Sequence, residues 1–148
     1  MVWLSIIAAV FCIIQVSILY TIAIFQVTPN IVLAIVIYSA LVYPRAGIWI
    51  GFATGLFLDF YSPTLGYNAL IGTIIGYGIG ILSSKIYKDL LILWIIILFV
   101  CSLLNDIVIF ISKHELYLYF FFRYILTGAI YTTVIGLIMF YLLKKSRL

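Results

Sequence analysis

The first 44 residues of the chain contain no Asp, Glu, Lys or Arg. A soluble fold does not offer so long a stretch without charge, because about a quarter of its residues are charged. Over all 148 residues the charged share is 8%, the hydrophobic share 68% and the mean hydropathy +1.38. A helix needs about 20 apolar residues to cross a hydrocarbon core of about 30 Å, so this length allows roughly six crossings and little else. The apolar residues come in long runs, not in the alternation of a barrel strand. Backbone in lipid must satisfy its own hydrogen bonds, which makes helices the default. The chain reads as an all-α integral membrane protein, one transmembrane domain over residues 1–148.

Six spans are predicted, at about 2–25, 30–43, 46–60, 67–84, 90–111 and 117–143. The connections are "QVTPN" (26–30), "YPRAG" (43–47), "YSPTLGYN" (61–68), "SSKIYKD" (83–89) and "SKHELY" (112–117). Pro29, Pro44 and Pro63 all fall in them, where a missing amide donor costs least. The first span lacks a basic start and a small-residue cleavage site, so it reads as a retained helix and not a signal peptide. With both termini inside, Arg45, Lys85, Lys88, Lys144, Lys145 and Arg147 are cytoplasmic and only Lys113 lies outside. That bias fits the positive-inside rule. Spans two and three have about 14 apolar residues each, roughly 21 Å of helix. Two short crossings with local thinning are preferred to a re-entrant hairpin, which would take Arg45 deep into the membrane.

Small residues recur at four-residue steps in neighbouring spans: Gly51 and Gly55 in the third, Gly72, Gly76 and Gly80 in the fourth. On a helix this forms a flat stripe that lets another backbone approach closely. The partner of the stripe is either the neighbouring span or a helix of another protein.

Polar residues inside the spans carry more information. Asp106 near the outer end of span five and Arg123 near the start of span six come to similar depth, where pairing would relieve the cost of each charge. Asp59 at the outer end of span three, with Asn68 and Asn105, extends this group into an outer polar cluster. Two readings stay open: an internal clamp between spans three, five and six, or a pocket or docking surface facing out.

Enzyme chemistry finds no support. The single histidine, His114, sits in a connection, and no nucleophile has a recognisable base. Cys12 and Cys101 fall in apolar runs with no ligand cluster, so they read as buried free thiols and no metal or cofactor is expected. The basic tail "KKSRL" favours anionic membrane lipid but is too short to suggest nucleic acid.

Three stretches, "TPNIVLAIVIYSAL" (28–41), "GFATGLFLDFYSPTLGYNALIGTIIGY" (51–77) and "SLLNDIVIF" (102–110), resemble the rod shape-determining protein MreD family. The resemblance rests on Pro29 and Asn30 opening span two, then Gly51, Gly55 and Asp59 in span three. Ser62, Leu65, Gly66, Ala69 and Leu70 follow, with Asp106 late in span five. It implies a bacterial inner-membrane component of the cell-elongation machinery, without enzymatic activity. The expected partners are a single-span MreC-like protein and, through it, MreB filaments and the RodA-type wall synthase complex. The family also looks similar in fold to the S components of energy-coupling-factor transporters, which makes a vitamin-binding subunit the alternative.

Overall fold

The computed structural model describes residues 2–19, 28–62, 66–85, 91–112 and 118–145. Among these residues there are six α-helices and no strand. They are α1 (Val2–Ile14), α2 (Ile31–Val42), α3 (Pro44–Tyr61), α4 (Tyr67–Leu82), α5 (Leu91–Ser112) and α6 (Leu118–Lys145). A π-helical turn, Gln15–Leu19, continues α1. Two of the helices, α5 and α6, are long and apolar enough to cross a membrane by themselves.

The sequence of α2, IVLAIVIYSALV, is apolar around its whole circumference, which is the pattern of a helix enclosed by others. Every residue from Ile31 to Leu41 is buried. At 1.5 Å per residue its 12 residues span about 18 Å. A helix this short need not match the bilayer, because its neighbours, not lipid, meet its sides. The Ser39 hydroxyl along it is fully buried and donates to the Val36 carbonyl at 2.8 Å.

The turn from α2 to α3 differs from expectation. Pro44 and Arg45 form the first turn of α3, leaving Tyr43 as the only connecting residue. The residue before a proline is driven to extended backbone, and Tyr43 has φ −132° and ψ 90°. Proline is favoured at the first helical position, where its lost amide would have no partner. The proline that punctuates the sequence therefore starts the helix.

Helices α3 and α4 make the closest packing in the fold. A Cβ at Gly51 would run into the Gly72 carbonyl, one at Gly72 into the Gly51 carbonyl, and one at Gly76 into the Gly47 carbonyl. The two glycine stripes thus face each other. Gly55 meets the backbone of Asn68 and Ala69, and Gly80 lies more loosely against Pro44. Gly47, which the sequence pattern left in a connection, extends the contact and also fits against Ala40 of α2.

The two ends of the bundle differ in chemistry. Tyr38, Trp94 and Phe140 stack where α2 and α6 finish and α5 begins, with ring centroids 5.9 and 4.2 Å apart. Such pairs add about 0.5–1.5 kcal/mol beyond area burial. The opposite end, where α2 and α4 begin, holds many of the buried polar side chains, among them Gln15, Asn105 and Asp106.

The glycine contacts predict a graded response to added methyl groups. We expect Gly51→Val or Gly72→Val to lower stability by about 1–3 kcal/mol, the usual cost of overpacking, and more if the helices separate. Gly78 faces open space, so Gly78→Ala should be neutral or stabilising by up to about 1 kcal/mol. Thermal unfolding of the purified variants in detergent distinguishes these outcomes, and equal losses at both sites would refute the packing assignment.

Candidate functional site

Away from water, the first amides of α2 have no solvent to bond, so each needs a protein partner. Gln15, at the start of the π-helical turn, gives two bonds at once. Its Nε2 donates to the Pro29 carbonyl at 2.7 Å, and its Oε1 accepts from the Ile31 amide at 3.0 Å. Thr132 of α6 accepts from the Asn30 amide at 3.1 Å. Asn30 itself caps the helix, its Oδ1 accepting from the Leu33 amide at 3.0 Å. Four residues from three separate parts of the chain close one helix end. Pro29 and Asn30 are the motif residues expected to open this helix; Gln15 and Thr132 were not singled out by sequence. Gln15, a lone amide in an apolar run, offered a signal; Thr132, between Tyr131 and Thr133, offered none that set it apart.

Asp59 performs the same service for α4. Its Oδ1 accepts from the Asn68 amide at 3.1 Å and from Asn68 Nδ2 at 2.9 Å. Its Oδ2 accepts from the Ala69 amide at 2.9 Å. The residue at the N-cap position of α4 is Gly66, left-handed at φ 89° and without a side chain to cap with. The carboxylate from the preceding helix takes that place, with its charge at the positive end of the α4 dipole. Asn68 Nδ2 also reaches Ser62 Oγ at 3.3 Å, tying the end of α3 to the start of α4. Pro63, in the same turn, lies outside the described residues.

Between these two capped ends lies a narrow crevice of about 250 Å³. Asn30, Thr54, Asn68 and Asn105 bring polar groups to it, and Gly51 and Gly72 form part of its wall. Its interior has room for about one water molecule. Pockets for drug-sized molecules are far roomier than one water, so this crevice is too narrow for a vitamin.

Asp106 stands beside the crevice residue Asn105, whose Nδ2 donates to Asp106 Oδ1 at 3.2 Å. Its Oδ2 is buried without a hydrogen-bond partner. The expected Asp106–Arg123 pair is not formed. Ile125, Ala129 and Thr132 mark the buried face of α6, and at 100° per residue Arg123 points roughly the other way. Arg123 is exposed. The structure thus joins Asp59 to Asn68 and Asn105 to Asp106, with Asn30 between them, and leaves Arg123 apart. Cys12 and Cys101 are buried free thiols.

These side chains cap, clamp and fill, and apart from Asp106 Oδ2 the bonds described here serve a helix end or a neighbour. That defines a helical membrane protein whose polar residues organise its packing. The family model for rod shape-determining protein MreD matches residues 1–146, and the chain belongs to that family. No curated protein and no solved structure matches it. Membership assigns the chain to rod-shape determination at a membrane.

Two capping sites can be weighed by substitution. Gln15→Leu leaves the Pro29 carbonyl and the Ile31 amide unsatisfied, and Thr132→Val leaves the Asn30 amide. We expect losses of about 1–3 kcal/mol for each group left unpaired. The adjacent amides make the double variant non-additive. Asp59→Ala should cost about 1–3 kcal/mol and Asp59→Asn less, since one acceptor oxygen remains. Thermal unfolding monitored by elution profile in detergent measures all four; unchanged stability for Asp59→Ala would show that the cap is dispensable.

Proposed function

We propose that the chain is a non-enzymatic, six-span scaffold of the bacterial inner membrane, with both termini cytoplasmic. It binds an MreC-like single-span protein and through it serves MreB filaments and the RodA-type wall synthase complex. The observation that carries this reading is the MreD family match over residues 1–146. The geometry is consistent with it, because the described polar side chains at that end mostly cap helices and the crevice between them is too narrow for a vitamin. The crevice width weighs against the alternative of a transporter S component.

In the proposed orientation Arg45 and Lys85 lie at the cytoplasmic end of the bundle, and Asp59, Asn68 and Asn105 at the outer end. The outer end then presents capped helix ends to a partner's extracytoplasmic part, while the lipid-facing sides of the helices remain for its single span. Asp59 and Asp106 are proposed to act on partner binding by shaping that end.

Affinity purification of the tagged chain from native membranes in mild detergent tests this. An MreC-like protein is expected to co-purify, and Asp59→Ala and Asp106→Ala are expected to weaken its recovery several-fold while eluting as folded proteins. Transporter ATPase subunits in place of the MreC-like protein would overturn the scaffold reading. Full recovery by both folded variants would remove those two residues from partner binding.

A further inference from the structure

On the side of α3 away from α4, a groove of about 1020 Å³ lies between α3 and α1. Its α1 wall is built mostly of small side chains, Ser5, Ala8, Ala9 and Cys12, with Ile13 the one large residue, and its α3 wall includes Trp49, Ala53 and Phe57. The lining is almost wholly apolar. Trp49, Ala53 and Phe57 stand at four-residue steps, so they form one row along α3. Arg45 is the next position down that row, and it is exposed. Both described acidic side chains lie toward the other end of the bundle. Asp59 is fourteen residues further along α3, about 21 Å away. Arg45, one turn before the lining residue Trp49, therefore has no carboxylate close by on its own helix.

We propose that this groove binds one anionic phospholipid, with its phosphate on Arg45 and one acyl chain laid along α3 against α1. Planar guanidinium matches phosphate through paired N–H···O bonds. From Arg45 to Phe57 the row covers about 18 Å, close to one leaflet of a core about 30 Å thick. Trp3 and Trp49, 79% and 72% exposed, stand at the same end of α1 and α3, where indole rings settle at the headgroup level. An apolar groove one leaflet long, with its cation at the polar end, has the shape and charge of a lipid site. A partner's crossing helix would need a contact strip through both leaflets. The site goes beyond the scaffold reading and stands whether or not an MreC-like protein binds.

The test uses the full chain in phosphatidylcholine vesicles with increasing phosphatidylglycerol, extracted into mild detergent and weighed by native mass spectrometry. Wild type is expected to retain one phosphatidylglycerol in preference to phosphatidylcholine. Arg45→Gln should lower that retention about fivefold, equivalent to about 1 kcal/mol for one basic residue near the surface, and Arg45→Lys should restore part of it. Ala53→Trp, which fills the groove from an exposed position, should remove the bound lipid, while Lys85→Gln should leave it in place. Ala9→Leu repeats the filling from the α1 side if Ala53→Trp does not elute as a folded protein. Equal retention of both lipids, no effect of Arg45→Gln, or an equal loss with Lys85→Gln would overturn the proposal. A photo-crosslinker at Ala53 that captures a protein helix and no lipid would overturn it too.

Discussion

The fold depends on one constraint: a twelve-residue helix enclosed on every side has to be capped without water. The side chains of α2 need only apolar neighbours, and they have them. Its first amides cannot be satisfied by burial and would each cost about 1–3 kcal/mol if left open. Gln15, Asn30 and Thr132 meet that requirement from α1, from the cap itself and from α6. Because α1 and α6 must both reach the same helix end, these hydrogen bonds fix where the outer helices stand along α2. Apolar contacts alone would let them slide. The polar contacts therefore supply register, and the apolar ones supply most of the burial.

The pairing of α3 with α4 uses a different device for the same problem. Glycines remove the side chains that would hold the backbones apart, so dispersion acts over a long close contact. A close helix pair has to be joined by a tight turn, and Gly66 takes the left-handed backbone there that other residues rarely adopt. Glycine cannot cap, so the carboxylate comes from Asp59 at the end of the preceding helix. The three features depend on one another: close packing, a glycine at the turn, and an acid placed to compensate for it. This explains why an aspartate stands at the end of a largely apolar helix.

Much of this was legible in sequence where the signal is one-dimensional. Apolar runs mark the helices, proline and glycine mark the connections within a residue or two, and four-residue steps mark the stripes of α3 and α4. The direction in which a side chain points around a helix was harder to read. Arg123 and Asp106 were matched by depth alone, whereas the buried face of α6 runs through Ile125, Ala129 and Thr132, and Arg123 lies on its other side. Gln15 and Thr132 were missed because their partners are backbone groups far along the chain, 14 to 16 residues away for Gln15 and 102 for Thr132. Sequence spacing carries no trace of such bonds. For Gln15 it does carry the oddity of an amide whose immediate neighbours are apolar; Thr132, flanked by Tyr131 and Thr133, has no such mark.

The same accounting separates the parts of the molecule that are already committed from those left for others. At the end where α2 and α4 begin, donors and acceptors are matched mostly within the chain, so a partner meets a surface shaped by these bonds more than a set of open ones. Helix α1 is tied differently. It is anchored to the core by Gln15 and by a narrow stripe that includes Ala8 and Cys12, while Trp3, Ile6, Val10 and Ile13 face outward. Its small residues do not close against α3, which is why the groove remains there. A helix held by its polar end and separated from α3 by the groove can shift against α3 at lower cost than α4 can, where Gly72, Gly76 and Gly80 are in backbone contact. An occupant of the groove would lie against α1, the same helix that reaches the cap of the central helix through Gln15.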